Sequence, residues 1–109
     1  MEMKSKQKEI IKKITPEQAY NEIKKGNDLK IYRDQLDSEY AYWYCRYIKD
    51  DPEVSKHIIE SEWAFWYCLK VKDNAKIRAH ITDSDWAHMY CLNIKDRPEV
   101  RKHIKEYYE

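Results

Sequence analysis

The segment DSEYAYWYCRYIKDDPEVSKHII (37–59) is followed without a gap by ESEWAFWYCLKVKDNAKIRAHIT (60–82) and DSDWAHMYCLNIKDRPEVRKHIK (83–105), and the three align at a period of 23 residues. The columns identical in all three copies include Ala41, Ala64 and Ala87; Tyr44, Tyr67 and Tyr90; Cys45, Cys68 and Cys91; Lys49, Lys72 and Lys95; Asp50, Asp73 and Asp96; and His57, His80 and His103. Chance does not place so many matches, so internal repetition governs the fold. Upstream, TPEQAYNEIKKGNDLKIYRDQL (15–36) reads as a weaker fourth copy, one residue shorter, with Ala19 on the alanine column and Ile23 on the cysteine column. Degenerate end copies are expected where units stack, because an end unit turns one face to water.

Each unit reads as two short helices, A and B. Helix A begins at Thr15, Asp37, Glu60 or Asp83. In TPEQ, Thr15 is the N-cap, Pro16 takes the first helical position and Gln18 reaches back. Asp37 and Asp83 cap likewise, whereas Glu60 is a poorer cap. Helix B begins after Asp51, Asn74 or Arg97; Pro52 and Pro98 suit its first turn, where no backbone donor is needed. It is expected to run roughly seven residues, as α or partly 3₁₀ turns. Ala41, Tyr44, Cys45 and Ile48 follow the i, i+3, i+4, i+7 spacing of one helix face, and helix B supplies Val54, Ile58, Ile77, Ile81, Val100 and Ile104. A hairpin this short cannot bury its own apolar face, but stacked copies can. The expected fold is all-α: a small α-solenoid of about four stacked repeats (15–36, 37–59, 60–82, 83–105) in one domain over 15–109, with 1–14 as a basic N-terminal helix or tail. Tyr107 and Tyr108 are expected to cover the open end of the last unit.

The helix starts SEYAYWYC (38–45), SEWAFWYC (61–68) and SDWAHMYC (84–91) share an acidic–aromatic–Ala–aromatic pattern. In this the chain resembles the short αα repeats of HEAT-like and leucine-rich-variant type found in bacterial and bacteriophage proteins, over about residues 15–105. It departs from them in having more Trp and Tyr and almost no Leu in its core columns. The resemblance implies a right-handed superhelical binding scaffold without catalytic residues. For a short chain of bacteriophage style, it implies an inhibitor of a host protein or defence complex.

Composition sets the outer bounds. The chain has 109 residues, 38% charged and 42% hydrophobic, with one Gly and three Pro, which favours helices joined by short turns. Aromatics at 14% are too many for a disordered chain. The formal charge of +1 excludes a strongly basic nucleic-acid binder and an acidic DNA mimic. Residues 1–33 carry nine Lys/Arg against five Asp/Glu, and residues 34–109 twelve against fifteen, a mild asymmetry of +4 and −3. The odd set of three cysteines at equivalent positions points to free thiols in a reducing, cytoplasmic compartment, including a host cytoplasm. No apolar run approaches the ~18 residues of a membrane span, and the Lys-rich start lacks the apolar core of a secretory signal.

Function is sought on helix A. Outside its Ala/Tyr/Cys/Ile face lie three further columns: Tyr40, Trp63 and Trp86; Trp43, Trp66 and Met89; and Tyr42, Phe65 and His88. A helix apolar nearly all round is usually buried, and burial is expected for the Tyr40 column. The other two columns are expected to leave an exposed, ordered stripe, which marks a partner surface anchored by Trp and Tyr. The candidate partner-binding residues are Tyr42, Trp43, Tyr47, Phe65, Trp66, His88 and Met89, and the expected partner is another protein. Homo-oligomerisation is a second use of such a stripe.

No enzyme activity, cofactor or metal is expected. Zinc ligands converge at about 2.0–2.3 Å, whereas equivalent positions in stacked helices sit about 10 Å apart, so the Cys column cannot share one ion. His57, His80 and His103 are expected to hydrogen-bond the following turn through their side chains. Asp50, Asp73 and Asp96 are expected to take nearby backbone donors at the A–B turn. The alternative reading is nucleic-acid binding through a basic face of Arg33, Lys56, Lys76, Arg78, Arg101 and Lys102, with Arg46 and the tail lysines adding to it. Interspersed acids oppose that reading, and such binding would weaken steeply with salt.

Overall fold

Long and short helices alternate along residues 14–105, the part of the chain that the computed structural model describes. The elements are α1 (Pro16–Lys24), α2 (Leu29–Tyr32) with a 3₁₀ turn at Arg33–Gln35, α3 (Ser38–Tyr47), α4 (Pro52–Ser55), α5 (Ser61–Lys70), α6 (Ala75–Arg78), α7 (Ser84–Asn93) and α8 (Pro98–Arg101). No strand occurs among the described residues, and no helix there is long and apolar enough to cross a membrane. The Lys-rich start, Tyr107 and Tyr108 lie outside the described residues, so the expectations placed on them are not addressed.

Local chemistry sets the helix ends. At α1 the Gln18 amide donates to the Thr15 hydroxyl (3.1 Å) and the Thr15 amide to the Gln18 side chain (2.8 Å), a closed capping box. Asp37, Asp51, Asn74 and Asp83 each accept amide bonds from the first turn they precede, while Glu60 and Arg97 cap nothing with their side chains. At the other end of α1, Asn27 donates to the Glu22 carbonyl (3.1 Å) and Gly26 to the Ile23 carbonyl (3.0 Å). This 6→1 and 5→2 pair requires a left-handed residue, and Gly26 supplies φ +94°. The later long helices close differently, with Ile48 and Lys49 both donating to the Tyr44 carbonyl (2.8 and 3.1 Å) and no left-handed residue needed.

Each short helix is one turn of four residues, shorter than the sequence suggests. The cause lies in the long helix of the same unit. The Ser38 hydroxyl donates to the His57 carbonyl (3.2 Å) and accepts the Ile59 and Glu60 amides (3.0 and 3.2 Å). Ser61 repeats this with the His80 carbonyl (3.0 Å) and the Thr82 and Asp83 amides (both 3.1 Å), and Ser84 accepts the Lys105 amide (2.9 Å). One hydroxyl thus takes the backbone groups that would otherwise extend the short helix. The expected histidine side-chain bonds to the following turn are replaced by these contacts of the backbone. The His57 imidazole instead faces the preceding unit, 3.4 Å from Asp34 Oδ1 without hydrogen-bonding geometry.

The long helices pack in chain order, α1 on α3, α3 on α5 and α5 on α7, and each also packs on the short helix that follows it. Ala19, Ala41, Ala64 and Ala87 are fully buried at these crossings, where a methyl side chain lets two helices approach closely. Tyr44, Tyr67 and Tyr90 are buried in the same core as Val54, Ile77 and Val100 of the short helices and Ile58 and Ile81 just after them. Ile48, expected on this face, is 45% exposed because it sits past the last turn of α3.

In the aspartate column, Asp50 and Asp73 join neighbouring units through side-chain donors, whereas Asp96 binds Arg101 of its own unit. Tyr67 donates to Asp50 (2.7 Å), and Tyr90 donates to Asp73 (2.8 Å). Asp73 also accepts Arg78 (3.1 Å) and Arg97 (3.1 Å). Burial of the Asp73 carboxylate raises its pKa, but the bonds from Tyr90, Arg78 and Arg97 win and hold it below the usual range. N-caps at the A–B turns come from the residue after each column member, Asp51 and Asn74.

Candidate partner-binding surface

The residues flanking each alanine build an aromatic cluster where one long helix meets the next. At the α3–α5 junction the Trp63 ring lies 5.6 Å from Tyr42 and 6.0 Å from Trp43. At α5–α7 the Trp86 ring lies 5.4 Å from Phe65 and 6.4 Å from Trp66. Within each cluster the residue next to alanine is innermost: Tyr42 is 1% exposed and Phe65 fully buried. These two were expected on the exposed stripe and belong to the core. The following helix lays its Trp63 or Trp86 across them, which a helical wheel of one helix cannot show. Burial raises the Tyr42 hydroxyl pKa, partly offset by the Arg46 guanidinium bonded to it at 2.9 Å.

The outer members of the clusters stay half-exposed. Trp43 stacks on Tyr47 at 5.6 Å and 12° between planes, and its indole N–H donates to Glu39 (3.3 Å). Tyr47 is 61% exposed and carries Arg46 over its ring at 4.9 Å. Farther along, Met89, Leu69 and Leu92 are exposed, Leu92 at 68%. Tyr47 and Met89 are exposed, while Trp43, Trp66 and His88 are partly exposed. Leu69 and Leu92 extend this surface without having been singled out. Their column begins as Arg46 and turns apolar at positions outside the core face, and that change is the signal for them.

Between α1 and α3 the surface sinks into a groove of about 540 Å³, walled by Tyr20, Tyr40, Trp43 and Tyr47 with Glu17 and Asn21 at its edge. Lys24 lies over the Tyr20 ring at 5.2 Å. Burial, then the carboxylates of Glu17, Glu39 and Asp37, raise the Tyr40 hydroxyl pKa.

The basic residues proposed for nucleic acid do not form an open positive face. Arg78 is bound by Asp73 and lies 3.6 Å from Glu99; Arg101 is bound bidentately by Asp96 (2.6 and 2.8 Å); Lys56 bonds Glu53 (2.9 Å). Arg33 is partly buried, with its Nε enclosed, while Lys76 and Lys102 are exposed. The groove between α4 and α6 mixes Lys56, Lys72 and Lys76 with Asp50, Glu53 and Asp73.

Cys45 and Cys68 are buried and free, and burial pushes their thiols up to about 12 and about 11, far from the thiolate needed for nucleophilic or metal chemistry. Among the described residues no group of three His, Cys, Asp or Glu side chains is placed to hold a metal ion. No protein-family model, no curated protein and no solved structure matches this chain.

Proposed function

We propose that the chain is a non-enzymatic protein-binding module: a small α-solenoid of four stacked two-helix units that presents apolar anchors on its long helices. The observation that carries this reading is the run of exposed large apolar side chains, Tyr47, Ile48, Leu69, Met89 and Leu92, alongside half-buried Trp43 and Trp66. Two of its columns, Leu69 with Leu92 and Trp43 and Trp66 with Met89, recur at the repeat spacing, and an ordered apolar array of this kind marks a partner surface. Trp and Tyr held in stacked contacts lose little further freedom on binding, which favours them as anchors. The stacking itself is supported by the chain-order packing of the long helices and by overall extents of 55 × 22 × 18 Å. The phage-type inhibitor of a host protein is the most concrete form of this reading and rests on the resemblance of the helix starts.

The test is affinity capture from nuclease-treated lysate with the natural chain and with Leu69→Ser/Leu92→Ser. Both residues are exposed, so the double variant should keep its melting temperature and lose the captured protein. Equal capture by both, or enrichment that vanishes with nuclease, would reject the surface.

A further inference from the structure

The groove between α1 and α3 sits where the later junctions hold a tryptophan. Aligned on the alanine column, Tyr20 corresponds to Tyr42 and Phe65, and Tyr40 to Trp63 and Trp86. The third place, filled by Trp43 and Trp66 in the later units, falls to Asn21. The two later junctions are accordingly closed by three rings each. Among the described residues the first has the Tyr20–Tyr40 pair alone, with centroids 5.5 Å apart, and the groove opens beside it.

The polar partner of the missing ring is also in place. Trp43 donates its indole N–H to Glu39, four residues before it. Glu17 stands in the Glu39 column, is exposed, and lines the groove. Lys24 takes the place of Arg46 but lies over the Tyr20 ring, whereas Arg46 bonds the Tyr42 hydroxyl and lies over Tyr47, so an entering ring displaces the exposed Lys24 ammonium or meets Tyr20 beside it. Tyr47, where later units carry Lys70 and Asn93, adds an outer wall.

We propose that this groove receives a tryptophan side chain of the partner polypeptide, its ring against Tyr20 and Tyr40 and its N–H donated to Glu17. The proposal rests on the protein-binding reading and names the chemistry of one anchor. The groove is continuous with the aromatic row inside the fold, so the incoming indole extends an interface that the chain already builds twice. At about 540 Å³ it has room for the indole and the backbone beside it. Offset and edge-to-face ring contacts, with a bonded N–H, are how a buried tryptophan is ordinarily satisfied.

The test is a titration of the isotope-labelled chain with N-acetyl-tryptophanamide, read by amide NMR shifts, alongside N-acetyl-phenylalaninamide and N-acetyl-lysinamide. The expected result is a saturable shift of the Tyr20, Asn21 and Tyr40 amides with the two aromatic probes. Asn21→Trp should abolish it by filling the groove from within, and should raise the melting temperature. Glu17→Gln should weaken the tryptophan probe several-fold and leave the phenylalanine probe unchanged. This exposed substitution needs no repacking, so it keeps the test open if Asn21→Trp fails to fold. No shift at these amides, or an undiminished shift in folded Asn21→Trp, would overturn the site. A stronger response to the lysine probe would make the groove a cation site and overturn the indole assignment. Equal weakening of both aromatic probes by Glu17→Gln would overturn the N–H contact. Leu69→Ser/Leu92→Ser should leave the titration unchanged, so failure of the wider surface and failure of the groove are read separately.

Discussion

A single hydroxyl per unit ends one element and ties it to another. Ser38 donates once and accepts twice at the end of α4, and removing it strands three backbone groups in a part-buried place. Ser38→Ala should therefore destabilise the fold by about 1–3 kcal/mol, read as a lower urea midpoint with unchanged slope; no change would mean that water replaces the hydroxyl. The same scale sets the alkaline limit. Cys45 and Cys68 ionise near 9.0 when unfolded but only at about 12 and about 11 when folded, and Tyr90 shifts from 10.0 to about 12. The folded state then holds more protons than the unfolded one, so stability is full below pH 9.0 and falls as pH rises toward these folded values. Thermal melts at pH 8, 9 and 10 should show this fall, and Cys68→Ala should flatten it. The serines form an identical column in the repeats, as visible as the cysteines. Their role was not legible, because a serine just after an N-cap reads as an ordinary first-turn residue until the returning strand of backbone is seen beside it.

At the scale of elements, the ends of the helices were legible and the extents of the short ones were not. Capping depends on two or three neighbouring residues, so Thr15, Asp37, Asp51, Asn74 and Asp83 announce themselves. The weak cap at Glu60 was equally plain: its longer side chain makes no bond to the first turn of α5. Glu60→Asp should supply that bond and stabilise the chain by about 0.5–1 kcal/mol, measured by the shift in denaturation midpoint. The backbone bond from Glu60 to Ser38 is retained in this variant. A loss of stability would show that the local backbone cannot place a shorter carboxylate. The faces of the long helices were legible only in part. The Ala, Tyr and Cys columns carry the i, i+3, i+4 spacing and are buried. In α5, which is apolar nearly all round, spacing cannot rank the remaining aromatics. Phe65 and Trp66 are adjacent on the helix, yet one is covered by Trp86 and the other only bordered by it.

At the scale of the whole molecule, the two faces of the fold carry different chemistry. The short-helix side is a mixed network, in which Asp73 alone gathers Tyr90, Arg78 and Arg97. The long-helix side carries aromatic and aliphatic groups edged by Arg46, Glu62, Lys70 and Asp85. Charge counts over the full chain could not separate these faces, since opposite signs cancel within the network. We propose that the long-helix side meets a protein partner. The most direct measurement places a photo-crosslinking benzophenone side chain at position 92 of the long-helix side, and in a second chain at position 76 of the short-helix side. Both chains are irradiated in nuclease-treated lysate. The expected result is one dominant protein adduct from position 92 and none from position 76; adducts from position 76 alone, or none from either, would contradict a partner on the long-helix side.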